Sequence, residues 1–211
     1  MNGPSTSAAT VDANRRARRA GHLVLALVLA IALGALAGCA SGRQRDVTFH
    51  DANMDFSLIQ TVAVLPFANL TQYTPAAERV RDVFSTMLQA GGSVYVLPNG
   101  EVARGIARAR LANPAQPTVE EVVALGKELK ADVVVTGTLR EYGEVRSGNA
   151  SANAIAVSLQ MLETQTGRLV WSASSTQGGV TAGDRLFGGG GEPMNAVTEA
   201  AVRDLIDKLY K

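Results

Sequence analysis

Cys39 is the only cysteine among 211 residues, and its position divides the chain. With no second thiol there is no disulfide, so whatever folds must be held by its own core. Before the cysteine stand Arg15, Arg16, Arg18 and Arg19, then the uncharged run from Leu23 to Leu36, then the small residues Ala37 and Gly38. A basic segment, a short apolar segment and small residues are the three parts of a secretory signal. The apolar run is shorter than the ~20 residues that a bilayer-spanning helix needs. The expected outcome is a cleaved signal peptide over residues 1–38, with cleavage between Gly38 and Cys39.

Leu36-Ala37-Gly38-Cys39 resembles the lipobox of bacterial lipoproteins. The resemblance implies a diacylglycerol on the Cys39 sulfur and often an acyl chain, such as palmitate, on the new amino terminus. One acyl chain holds a protein only marginally, whereas two or three anchor it stably. Ala40, in place of Asp, implies sorting to the outer membrane, with the protein facing the periplasm.

Charge then excludes one class of partner. The chain has 20 Lys+Arg and 19 Asp+Glu, and removal of the leader's four Arg and one Asp leaves 16 against 18. A slightly acidic mature chain lacks the basic face that nucleic acid requires. The expected partners are the membrane, through the lipid on Cys39, and another envelope protein or a second copy of the chain.

Residues 39–55 are polar and aperiodic, which predicts a flexible tether whose 16 residues after Cys39 would span ~20 Å. Residues 56–211 are ample for a single domain. Thr61 to Phe67 is a Val-rich run ended by proline, as expected of a strand buried on both faces. Thr74-Pro75 opens a helix striped by Val80, Val83, Phe84, Met87 and Leu88 and closed by Gly91-Gly92. Ser93 to Leu97 is a second strand and Glu101 to Leu111 a second helix. Thr118 and Glu121 match a capping box that starts a third helix, with Val119, Val122, Val123 and Leu129 on its buried side.

The pattern then changes to strands. Ala131 to Val145 is one extended segment. Ile155, Val157, Leu159 and Met161 alternate with Ala156, Ser158 and Gln160, the period of a half-buried strand. Thr164 to Gly167 is a hairpin loop, and Leu169, Trp171 and Ala173 alternate on the returning strand, with Trp171 in the core. Gln177 to Gly191 is rich in glycine and is expected to be mobile. Pro193 starts a last helix. The fold class that follows is α/β (α+β): a mixed sheet with a βαβ start, a three-stranded antiparallel meander, and helices packed on the sheet.

Three segments carry a wider resemblance: Val62-Ala63-Val64-Leu65-Pro66-Phe67, Ala131-Asp132-Val133-Val134-Val135-Thr136-Gly137-Thr138-Leu139, and Val157 through Trp171. They resemble the superfamily that contains the curli secretion lipoprotein and the lipoprotein activator of penicillin-binding proteins. The resemblance implies an anticodon-binding-domain-like αβ sandwich. It also implies a non-catalytic module that binds or assembles with envelope proteins. The alternative within the superfamily is a subunit of an oligomeric outer-membrane secretion channel. Against that stands the segment from Leu139 to Ala154, where Arg140, Glu141, Glu144 and Arg146 fall on both alternating faces, unlike a lipid-facing strand.

The catalytic inventory is thin. Past the leader the only histidine is His50, expected to be a solvated tether residue, so neither a Ser/His/Asp set nor a metal cluster assembles. Gly188 to Gly191 lacks the Lys-Ser/Thr of a phosphate loop. No enzyme activity, cofactor or metal is expected. The polar stretch with most to offer a partner is Arg140, Tyr142, Glu144 and Arg146, since Tyr and Arg are favoured at interfaces.

Overall fold

A computed structural model describes residues 47–187 and 191–211. The elements follow from local chemistry. Thr61–Val64 (β2) is a β-branched run, and Pro66 ends its ladder because proline has no N–H to donate. The chain resumes beside the same neighbour as Ala68–Asn69 (β3), one residue out of step with β2, so the proline sits in a bulge. Interrupting the ladder frees the Val64 carbonyl inside the protein. Arg81 answers it: Nε and Nη2 donate to that oxygen at 3.1 and 2.9 Å, and Nη1 reaches Glu78. This buried arginine sits on Ala76–Ala90 (α1).

After α1 come Tyr95–Val96 (β4), Asn99–Ala109 (α2) and Val119–Leu129 (α3). The capping box at Thr118 and Glu121 is present, with both reciprocal bonds. Glu121 also accepts from the Ala112 N–H, which ties the connector between α2 and α3 to the start of α3. Backbone N–H groups of Thr118 and Ala112 hold its carboxyl below the ordinary glutamate value. Val119 is an exception to the expected buried side: it is exposed at the rim. As the first residue after the cap it lies against the loop at Gly167, where a Cβ would lie 2.6 Å from its Cγ1.

The strands Val133–Ser147 (β5), Ala150–Glu163 (β6) and Leu169–Gly178 (β7) form the expected antiparallel meander. With a first strand, Thr48–His50 (β1), at one edge, the sheet order is β1-β7-β6-β5-β2-β4, with β2 parallel to both its neighbours and β3 also parallel to β5. Helix α1 and the final helix Met194–Leu209 (α5) cover one face, where Phe84, Leu159, Trp171 and Leu205 share a core. Helices α2 and α3 cover part of the other face over Ala63, Leu65 and Val134. The mixed αβ architecture predicted from the sequence is the architecture observed.

Two expectations are corrected. The first concerns residues 48–55 of the predicted tether. Thr48–His50 (β1) pairs antiparallel with β7, and Asp51 binds both the Val170 carbonyl, through its N–H, and the Arg168 guanidinium. A three-residue strand is too short to show a period; it is recruited by the open edge of β7. His50 is accordingly half-buried, edge-on to Phe56 at 5.6 Å and 3.4 Å from the Leu209 carbonyl through Nε2, not a solvated linker residue. The second concerns the glycine-rich stretch from Gln177, which contains the short helix Ala182–Phe187 (α4). Thr181 and Asp184 cap it reciprocally through side chain and backbone. Gly188 to Gly190 lie outside the described residues.

Gly178 ends β7 with φ +79°, and a Cβ there would fall 2.1 Å from the Asn153 carbonyl oxygen. Backbone cannot rotate away as a side chain can. Gly178→Ala is expected to lower unfolding stability by about 2–4 kcal/mol, left-handed strain plus overpacking. A urea titration followed by circular dichroism measures it as a lower midpoint.

Candidate interaction surface

Strands β5 and β6 outrun their neighbours. The last β3 partner on β5 is Leu139, and the last β7 partner on β6 is Ala154. Residues 140–153 therefore form a two-stranded arm that no further strand covers on the β5 side. A register shift between Leu139 and Glu141 leaves Arg140 as the bulged residue at the arm's base. Bulges twist a strand locally. The turn at the tip uses Gly148, with φ +63°.

Of the expected partner surface, Tyr142, Glu144 and Arg146 fall on one face of the arm, since alternate residues share a face. Arg140 is exposed in the bulge and apart from that row. Glu144 and Arg146 pair with each other at 3.1 Å, both largely solvated. A hydrogen bond from Ser151, and then Arg146, holds the Glu144 carboxyl below its ordinary value. Exposed pairs of this kind contribute ~0–1 kcal/mol, so their value is in shaping the surface.

Tyr142 does more. Its ring stacks on Tyr73 with centroids 5.9 Å apart and planes 4° from parallel, and the Arg79 guanidinium lies 5.3 Å from the Tyr73 ring centroid. Tyr73 comes from the loop between β3 and α1, which Asn69 organises. Its Oδ1 accepts from the Thr71 N–H and hydroxyl, and its Nδ2 donates to the Tyr73 and Thr74 carbonyls. Leu70 stands 68% exposed on the same loop. An arginine, two stacked tyrosines and an exposed leucine are thus fixed at the base of the arm. Aromatic and arginine side chains are those most often found to dominate interface energetics.

The sequence reading missed Tyr73, Arg79 and Leu70 as surface residues. Asn69 followed by a polar turn was a visible loop signal, but the stacking partner lies 69 positions further along the chain. Among the described residues no group of three His, Cys, Asp or Glu side chains is placed to hold a metal. No described helix is long and apolar enough to cross a membrane. Gly38 and Cys39 lie outside the described residues.

Comparison with known proteins fits this fold. The chain is similar to the PelC dodecamer from Paraburkholderia phytofirmans, at 15% identity and TM-score 0.52, over 78% of this chain and 95% of that one. It is also similar to lipoprotein GNA1162 from Neisseria meningitidis, at 14% identity and TM-score 0.52, over 72% of this chain and 98% of that one. At such identities the likeness concerns the fold. No curated protein matches. Residues 47–176 match the family described as peptidoglycan-synthase activator LpoB, a stretch that starts at β1 and runs through the meander. The chain belongs to that family, the LpoB family.

Proposed function

We propose that this protein is an outer-membrane lipoprotein, anchored through lipid on Cys39 and facing the periplasm, whose domain binds another envelope protein without catalysis. The observation that carries the reading is the fixed patch at the base of the arm, Tyr142 on Tyr73 under Arg79, beside exposed Leu70. Ring stacking orders these side chains before a partner arrives, which lowers the ordering cost of binding. Arg140, Glu144 and Arg146 would form the polar rim of that surface.

Geometry narrows the partner. The first strand starts at Thr48, nine residues after Cys39. Nine fully extended residues span at most about 32 Å. The domain is thereby confined close to its membrane, and its partner must present a surface there. Activation of a peptidoglycan synthase, the role in the family's description, belongs to this reading only if the synthase reaches that zone.

Tyr142→Ala removes the lower ring of the stack from a half-buried arm position. It is expected to reduce chemical cross-linking of the acylated protein to its envelope partner by about tenfold, the size of a modest interface hot spot. Circular dichroism should stay unchanged. An unaltered cross-link yield would remove the patch from the account.

The second reading, a secretion-channel subunit, is prompted by the long β5–β6 arm. Its two faces carry Glu141 on one side and Glu144 and Arg146 on the other, which opposes a lipid-facing role. Native mass spectrometry of the acylated protein separates the readings: a stable ring of about eight or more subunits supports the channel.

A further inference from the structure

The ladder decides which backbone groups of the arm stay open. The Asn153 carbonyl accepts from the Gly179 N–H, on the side of β6 away from β5. In an antiparallel ladder a residue's N–H and C=O point the same way, so Asn153 and its partner Glu144 exchange no bond. The backbone groups of Glu144 therefore point away from β6. Strand periodicity extends this to Tyr142 and Arg146. The same parity holds below the bulge, where the Val135 and Leu139 carbonyls accept on that side from Leu65 and Leu70. Beyond Leu70 no described strand pairs with this edge. Tyr142, Glu144 and Arg146 are left there with an N–H and a C=O each, about 7 Å apart from residue to residue.

The opposite edge of the arm is treated differently. Besides the Gly179 bond, Asn153 Nδ2 donates to the Glu192 carbonyl at 2.9 Å. Gly191 lies so close to β6 that a Cβ on it would fall 2.6 Å from the Ala152 Cβ. Residues following β7 thus close the β6 edge. Free edges are usually blunted by proline, bulges, charge or a covering segment. On β5 the bulge comes before the open stretch, no proline occurs within it, and Glu144 and Arg146 neutralise each other. A two-stranded ribbon alone is marginal in water, and a third strand adds the missing ladder.

We propose that the β5 edge from Tyr142 to Arg146 takes an extended segment of the envelope partner as a third strand of the arm. The inference rests on the partner-binding reading above and names its mode. Donors and acceptors repeating at this spacing in the plane of a sheet are matched by another extended backbone. The open row begins where β3 leaves it, beside exposed Leu70 and the Tyr142–Tyr73 stack, so the added strand is continuous with that patch. Backbone bonds supply affinity and leave the segment's sequence largely open. Two restrictions follow. An apolar side chain is favoured at the Leu70 end, and proline is excluded where an N–H must reach the Tyr142, Glu144 or Arg146 carbonyl.

Amide hydrogen exchange of the mature protein tests the geometry without any variant. The amides of Tyr142, Glu144 and Arg146 are expected to exchange about tenfold faster than those of Gly143 and Val145, which face β6. Equal protection of the two sets would show the edge already covered and overturn the proposal. Binding is read in intact envelopes as the yield of adduct from a photoreactive side chain at Leu70. Glu144→Pro removes one outward N–H, whereas Glu144→Ala loses the same carboxylate and keeps it. The yield is expected to be about tenfold lower in Glu144→Pro than in Glu144→Ala, and Arg146→Pro against Arg146→Ala to repeat the difference. Slow exchange at Gly143 and Val145 in the proline variants shows the arm still paired. Equal yields within each pair, or adducts at multiples of this chain's own mass, would overturn strand addition. If Tyr142→Ala still lowers the yield in that case, the partner-binding patch stands without it; if not, both fall.

Discussion

Cys39→Ala is expected to reduce incorporation of labelled palmitate to background, while the wild-type protein carries label and a mature amino terminus at residue 39. The effect should be all or none. Thioether attachment needs the sulfur, and the chain has no other cysteine to take its place. Amino-terminal acylation depends on the preceding cleavage, so both lipid signals go together. Each buried methylene contributes ~0.8 kcal/mol to membrane affinity, and stable anchoring takes more than one chain. No described helix is long and apolar enough to span a bilayer. Label retained in the variant, or a wild type without label, would contradict the anchor.

Trp171→Ala has the largest expected effect on folding. Trp171 is fully buried, stands opposite His50 on one side and Met161 on the other, and packs in the same core as Leu159, Ala201 and Leu205. Its Nε1–H donates to the Lys208 carbonyl at 3.4 Å, linking β7 to the end of α5. Truncating a buried tryptophan costs ~3–5 kcal/mol from lost burial and the cavity left behind. Set against the ~5–15 kcal/mol of a typical domain, that leaves little. The melting temperature should fall by ~10 °C or more. Trp171→Phe, which keeps most of the volume, should lose much less. Equal melting temperatures for wild type and Trp171→Ala would show that β1, β7 and α5 do not share a core.

The legible parts of the fold were those set by neighbours in sequence. The Thr118–Glu121 capping box spans three residues, and the Ile155 to Met161 alternation repeats every two, so both were visible locally. Pro66 marked the end of β2 for the same reason. What escaped depended on distant partners. β1 is three residues with no detectable period, made a strand by the free edge of β7 more than 120 positions away. Arg81 reads as an ordinary polar helix residue, and only the bulge at Pro66 explains its burial against the Val64 carbonyl. Val119 carries the right residue type for a core, but its place in the first turn puts it at the rim.

The interaction surface divides in the same way. Arg140, Tyr142, Glu144 and Arg146 were identifiable as an alternating polar stretch on an extended segment. That Tyr142, Glu144 and Arg146 share a face follows from strand periodicity, whereas the displacement of Arg140 by a bulge does not. The stacked partner Tyr73 and the cation Arg79 come from another part of the chain.

The account rests on a domain held near its membrane that uses the base of the β5–β6 arm to bind an envelope protein. Site-specific photo-crosslinking in intact envelopes tests this most directly, with the photoreactive side chain placed in turn at Leu70, Arg146 and Tyr95, all exposed. Leu70 and Arg146 are predicted to give adducts with the same envelope protein, Tyr95 on the β4 edge to give none, and Cys39→Ala to remove those adducts. Adducts at multiples of this chain's own mass, or equal yields from all three positions, would contradict it.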